Sequence, residues 1–344
     1  MVDDTNETFL RIQRRAEVLR GVRSWFYQAG FLEVDAPILV PGTGCEPFID
    51  PLQTSLFWEV DGPNENRYLH TSPELYLKRL LARVSHPLFY VGHVFRNGEW
   101  TKRHLPEFTM MEWYRPEGSL EDLVRDCESW IGHVIEMCLQ KNLGPDLDVV
   151  KMLREAPYEI VSMSSLWQKY AGIDLKEALL RVQEHGAHEL VSVVKKAGFS
   201  LRPRADFDDA FFQVMSTAVE PNIGKTRPTV VTQWPKQMAV LSKLDSDDPL
   251  FARRFEIYAG GLELANAFDE LTDGKEQKRR FLADYEKRRA MGRASLTIDE
   301  IFLSELDQIP ATVGIAFGLD RLLQLIFGLE RIENTYPLYV SRNI

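Results

Sequence analysis

Two apolar runs of eight residues, 88–95 (LFYVGHVF) and 107–114 (EFTMMEWY), flank an eleven-residue loop, 96–106, that carries Arg96, Glu99, Lys102, Arg103 and His104. Both runs read as strands. The loop is long for a hairpin, and long charged loops often carry function. The remaining elements are arranged around this pair. Residues 9–29 place Ile12, Ala16, Leu19, Val22 and Phe26 at intervals of three and four, an amphipathic helix that Gly30 can end, and a short strand, 31–34, runs into Pro37. A helix starts at 71–82, with Pro73 at its first position and Glu74 in its first turn. Strands surround Gly260-Gly261 over 254–268, and a small-residue strand at 311–317 leads through Gly318 into the apolar helix LDRLLQLIF. The stretch 118–215 is helix-rich, with breaks at Gly144-Pro145 and Arg202-Pro203-Arg204. Strands clustered around a helical insertion predict an α+β fold with a mixed or antiparallel sheet.

Charge limits the partners. The 344 residues include 41 basic and 51 acidic side chains, a net of -10, which does not suit a general phosphate-backbone binder but leaves room for a local basic groove. Cys45, Cys127 and Cys138 lack C-x-x-C spacing and are too few for a disulfide framework, which fits a reducing compartment. The polar N-terminus has no apolar leader, and no run approaches the ~18 apolar residues of a membrane span. A cytoplasmic protein without a membrane partner is expected.

The chemistry-bearing residues each have a plain alternative. In 107–114, Phe108, Met110, Glu112 and Tyr114 share one face, so an acid sits among apolar neighbours. An edge position or an ion pair explains it equally well, with Arg96, Arg103 and His104 as candidate partners. Those cations could instead hold a polyphosphate, with Phe108 offering its ring to a base. A two-residue turn at Gly260-Gly261 pairs Tyr258 with Glu263 and sets Glu256 diagonally across from Glu263. Diagonal Cα separations of about 7–8 Å let two carboxylates share a cation such as Mg²⁺, although two solvated acids on a wet face is the simpler reading. Asn266, Phe268 and Glu270 have the opposite parity from Glu263, so one common face requires a bulge near Leu264 or Ala265. Gly314 and Gly318 suit a close backbone approach, and Arg321 in the following helix's first turn suits an anion; tight packing with a surface arginine is the alternative. His185 with His188, and the run Lys287-Arg288-Arg289, read as solvated faces.

Taken in order, these segments resemble the catalytic domain of class II aminoacyl-tRNA synthetases, the lysyl enzymes most closely, over most of the chain. The helix and strand ending at Pro37 are similar to the family's dimer-forming first motif. VFRNGEWTKRHLPEFTMMEWY is similar to the second, ATP-binding motif, GLDRLLQLIFG to the third, and RRFEIYAGGLELANAFDELTD to a lysyl-type segment with Mg²⁺ ligands and substrate contacts. The resemblance implies one catalytic domain over 1–344, a mainly antiparallel sheet flanked by helices, and a homodimer through the first motif. It implies ATP contacts at Arg96, Asn97, Gly98, Glu99, His104, Leu105, Phe108, Glu263, Leu264, Gly318 and Arg321. Arg96 would neutralise the α-phosphate, His104 and Arg321 would contact the γ-phosphate, Phe108 would stack on adenine, and Arg96 and Arg321 would be the catalytic pair. Glu256 and Glu263 are implied as metal ligands. Ser72, Pro73, Glu74, Tyr114, Asn266, Phe268, Glu270 and Ala316 are implied as the amino-acid pocket. The family's F-R-x-E is here F-R-N-G-E, which displaces Glu99 by one residue.

A cationic substrate needs buried carboxylates, and Glu74 and Glu270 supply them where aspartyl-type relatives carry Gln at the first position. Lysyl-tRNA synthetases carry an N-terminal anticodon-binding barrel of roughly a hundred residues or more, whereas the first motif's helix here begins within the first dozen residues. The short form resembles the paralogue family that ligates (R)-β-lysine onto a lysine of translation elongation factor P, with VEPNIGK, GLELANAFDELTD and EFTMMEWYRP especially similar. Ala316 stands where tRNA-charging lysyl enzymes have Gly, and its methyl would crowd an α-amino group. The resemblance thus implies an ATP- and Mg²⁺-dependent ligase acting on (R)-β-lysine or lysine and elongation factor P, with tRNA binding not expected. A compact lysyl-tRNA synthetase and a non-catalytic regulatory paralogue are the alternatives.

Overall fold

The computed structural model describes residues 2–339 other than 45, 58, 60, 61, 63 and 295, so Cys45 lies outside the described residues. The chain divides into two compact units, Met1–Val150 with Glu270–Ile344, and Lys151–Asp269. The stretch 118–215, expected as a helical insertion within one domain, is shared between the two units. The helix Leu120–Gln140, opened by a Ser119–Asp122 capping box, packs on the N-terminal helix inside the first unit. The second unit begins later and has its own strands.

In the first unit the sheet runs in the order Leu32–Glu33, Leu88–Phe95, Glu107–Pro116, Thr312–Gly318, with only the first pairing parallel. The N-terminal helix, Val2–Gln28, buries Val18, Val22 and Phe26, but Ile12 is 46% exposed, so the expected apolar stripe is covered only toward its C-terminal end. Phe26 stacks on Phe89 at 4.9 Å and meets Trp113 edge-on at 5.2 Å, and Trp130 meets Phe317 at 4.8 Å. Burying each such ring contributes about 1.5–3 kcal/mol, which locks the middle strands to the helices behind them. The helix Glu74–Leu81 has Pro73 at its cap rather than in its first turn, and the Glu74 amide donates to Ser72 Oγ at 3.0 Å.

The run Lys287-Arg288-Arg289 is not a uniformly solvated face. Arg289 is exposed, but Arg288 is 1% exposed, reaching Asp50 Oδ1 at 2.7 Å and the carbonyls of Glu46 and Ile49 at 2.9 and 2.8 Å. Three oxygens around one guanidinium offset its desolvation.

The second unit orders its strands Leu262–Asp269, Arg254–Ala259, Thr229–Thr232, Glu159–Ser162, antiparallel except for the last pairing. Its helices, among them Met163–Ala171, Leu175–His185 and Phe207–Val214, bury Trp167, Leu179 and Phe211 in one core, where Trp167 stacks on Phe211 at 5.2 Å. His185 and His188 are mostly exposed and lie near only Glu184 and Glu189, the solvated face expected. Gly260 and Gly261 take φ of 60° and 74°, the left-handed pair that a tight hairpin turn demands. Tyr258 faces Glu263, while Ile257 faces Ala265, so Leu264 is the extra residue of a bulge. That one residue brings Glu256, Glu263, Asn266 and Phe268 onto a common face.

Candidate active site

In the first unit, four elements bring acids together. Glu74 and Lys78 lie one turn apart on the helix Glu74–Leu81, Glu112 and Tyr114 sit two apart on Glu107–Pro116, and the Glu270 amide donates to the Thr312 carbonyl at 2.9 Å. Glu112 is 1% exposed on an interior strand, neither at an edge nor paired with Arg96, Arg103 or His104 as the sequence allowed. Its partners are hydroxyls: Ser72 donates to Oε1 at 2.6 Å and Tyr114 to Oε2 at 3.1 Å. Burial, then the charge of Glu74, pushes its carboxyl up to about 8 despite those two bonds.

Lys78 occupies the space between the two predicted lysine-binding acids. Its Nζ lies 2.5 Å from Glu74 Oε1 and 2.6 Å from Glu270 Oε2 at 1% exposure. Burial opposes its charge, but Glu270 and Glu74 outweigh burial and keep it an ammonium. Burial raises the Glu270 carboxyl, and Oε1 of that 1% exposed side chain has no hydrogen-bond partner among the described residues. Gly314, opposite Tyr114 in the ladder, makes the arrangement fit: a Cβ there would lie 2.3 Å from Glu270 Oε1 and 2.4 Å from Tyr114 Cε1. Ala316 faces Glu112 across the same ladder, so its methyl borders the acids, and Pro73 is buried beside them at the helix cap. Two acids pair with this one ammonium and a third, Glu112, lies close by, so acids outnumber cations here among the described residues. Sequence reasoning placed Glu112 on the right face but assigned it no role, and it missed Lys78 altogether.

At the other end of these strands the charge reverses. The loop closes through the Arg96 amide on Pro106, at 2.9 Å, and the Asn97 amide donates to Asp50 at 2.7 Å. Arg96 lies over Phe108 at 5.3 Å, and its buried Nε has no hydrogen-bond partner among the described residues. Arg321 Nη2 donates to His104 Nε2 at 2.7 Å, which makes that nitrogen an acceptor; the ring then donates from Nδ1 to Thr101 Oγ1 at 2.9 Å. Asp320, also missed in the sequence, anchors the arginine's helix by accepting from Arg15 at 2.7 Å, the Thr109 amide at 2.8 Å and Tyr336 at 3.0 Å. Asn97 and Gly98 are exposed, Glu99 and Gly318 half-buried, and Leu105 is 1% exposed, so its side chain belongs to the core.

In the second unit the carboxylate pair is not a wet face. Glu256 is 5% exposed, accepting from Arg254 Nη2 at 2.5 Å and Tyr258 Oη at 2.6 Å, while Glu263 is half-buried and Leu264 buried. Burial and the nearby charge of Glu263 raise the Glu256 carboxyl. Arg254 also donates to Asn266 Oδ1 at 3.0 Å and lies 5.6 Å from the Phe268 ring, so both predicted pocket residues are braced by one guanidinium.

The family model "tRNA synthetases class II (D, K and N)" matches residues 3–339. Three relatives carry the name "Elongation factor P--(R)-beta-lysine ligase". The protein from Pasteurella multocida is 35% identical over 93% of this chain and 91% of its own. Those from Mannheimia succiniciproducens and Haemophilus influenzae are 34% and 33% identical, each over 95% of this chain and 94% of their own. The chain belongs to this family of class II synthetase-like ligases. Membership makes it an ATP-using ligase.

Proposed function

We propose that this chain activates (R)-β-lysine or lysine with ATP and transfers the aminoacyl group to a lysine of elongation factor P. The observation that carries the reading is the pocket of Glu74, Glu112 and Glu270, three acids with a single internal cation and an orphaned Glu270 oxygen. A ligand bearing two ammonium groups supplies what that pocket lacks. In the first step a carboxylate oxygen of the amino acid attacks the α-phosphorus of ATP, and diphosphate leaves. In the second, a deprotonated lysine amine attacks the adenylate's carbonyl carbon, AMP leaves with the acyl C–O electron pair, and an amide remains. Arg96 and Arg321 stabilise charge on the transferring phosphates, and Phe108 and Gly318 border that end. Glu74, Glu112 and Glu270 orient the amines, and Ala316 crowds an α-amino group, favouring the β-isomer. No side-chain nucleophile is needed, because positioning and charge stabilisation supply the rate.

Glu256 and Glu263 are the residues that would hold Mg²⁺. Among the described residues no cluster of three or more His, Cys, Asp or Glu could hold a metal. Two carboxylates on one face of a hairpin nevertheless fit an ion that takes its other ligands from phosphate and water. Once bound, Mg²⁺ supplies charge neutralisation at the polyphosphate. Chelation by EDTA should abolish lysine-dependent pyrophosphate exchange, with excess Mg²⁺ restoring it.

Phe9, Ile12, Tyr27, Leu32, Ile38 and Leu39 are exposed apolar side chains of the first-motif region, which supports a homodimer there; sedimentation of the Ile12→Asp variant as monomer would bear on it. No helix among the described residues is long and apolar enough to cross a membrane. With elongation factor P as acceptor, the reaction is assigned to the cytoplasm. The deciding experiment incubates the protein with ATP, labelled β-lysine and either elongation factor P or bulk tRNA. Acid-stable mass on one lysine of the factor is expected, whereas a base-labile ester on tRNA would overturn the acceptor.

A further inference from the structure

We propose that Lys78 is a positioning residue of the amino-acid pocket, an internal ammonium that draws the Glu74 and Glu270 side chains together and offsets the cost of ionising Glu270 when substrate arrives. The inference rests on the reading that this pocket holds a diammonium amino acid, and it assigns the pocket's readiness to a residue that need not touch the substrate.

The geometry is specific. Lys78 is 1% exposed, and its Nζ is shared by two carboxylates that arrive from different parts of the chain, at 2.5 Å and 2.6 Å. The other groups acting on those acids are Glu112 and Tyr114 from the strand Glu107–Pro116, together with Ser72 at the helix start. On the same helix, Arg79 is turned to Glu305 of the packed helix Glu300–Glu305 at 2.9 Å, so it brings no charge to the pocket. Within reach of Glu74 and Glu270, Lys78 is thus the sole cation among the described side chains that pair with them.

A neutral carboxyl cannot compensate an ammonium. Without a cation beside it, a carboxyl as buried as Glu270 would keep its proton at neutral pH, and an incoming diammonium substrate would have to expel it. One buried ammonium favours the charged form of Glu270, yet leaves two negative charges when Glu74, Glu112 and Glu270 are all ionised. Two is the number of ammonium groups on lysine or β-lysine. A serviceable analogue is norleucine, which has the same chain length and a single ammonium.

The test compares lysine binding by wild type and Lys78→Met, counting protons by calorimetry at pH 7 in two buffers of different ionisation enthalpy. The variant should release about one more proton per lysine bound than wild type. Its KM for lysine in pyrophosphate exchange should rise about tenfold at pH 7 and recover toward wild type near pH 9, with kcat little changed. A KM rise that does not recover with pH, or an unchanged proton count, would assign Lys78 to packing and overturn the proposal. Should Lys78→Met fail to fold, the double variant Lys78→Met with Glu74→Gln removes cation and acid together. It should release no more protons than wild type, and one more would overturn the proposal. Wild type that neither binds nor activates lysine would overturn the reading of the pocket and, with it, the proposal that rests on that reading.

Discussion

The strands Glu107–Pro116 and Thr312–Gly318 run side by side, yet their two ends carry opposite charge. At Phe108 and Gly318 they meet Arg96, His104 and Arg321; at Tyr114 and Gly314 they meet Glu74, Glu112 and Glu270. From Gly314 to Gly318 the strand rises about 13–14 Å, at about 3.4 Å per residue. The difference teaches that one rigid ladder can present opposite charge at its two ends, so that an anionic group suits one end and a cationic group the other.

The comparison breaks most visibly at the cationic end. Arg321→Ala and Arg96→Ala should each lower lysine-dependent pyrophosphate exchange by about 10²–10³-fold or more, with circular dichroism unchanged, since each deletes a charge aimed at a transferring phosphate. Near-normal exchange would remove the phosphate assignment. At the acidic end, Glu270→Gln should raise KM for lysine about tenfold or more while KM for ATP stays put; parallel rises in both would mean the two ends are not separate.

The third effect is a pH dependence of stability. The Glu112 carboxyl, ordinarily near 4.5, is held at about 8 by burial, so the folded chain binds a proton that the unfolded chain has released. That contribution is fully present below about pH 4.5, falls by at most about 1.4 kcal/mol per unit as pH rises, and is gone above about pH 8. Thermal unfolding of ligand-free Glu112→Gln should therefore fall less steeply over this window than that of wild type; equal slopes would show that Glu112 ionises freely. The smallest expected effect is at Ala316. Ala316→Gly should shift use toward α-lysine over β-lysine by a few fold, and an unchanged ratio would count against crowding by the methyl.

Local features were legible because their causes are local. The diglycine turn, the strands at 88–95 and 107–114, and the helix after Gly318 follow from periodicity and backbone freedom within a few residues. Even the bulge near Leu264 was forced by parity, since Glu263 and Asn266 can share a face only if one residue is left out of the count. The unit boundary was not legible: the helix Leu120–Gln140 looks like the helices that follow it, and only its packing on the N-terminal helix assigns it to the first unit.

By itself, then, the sequence determined which residues carry charge, which faces they share, and the order of motifs that marks a class II enzyme. Tertiary structure decided which of those charges lose water, and what they find when they do. Spacing alone gives Glu74 and Lys78, four apart on a helix, an i,i+4 contact worth a few tenths of a kcal/mol. Glu270, 192 residues further along, closes over the same ammonium and turns that pair into the counter-ion of a buried acid cluster. Desolvation is a property of everything packed around a group, and no local pattern in the chain encodes it.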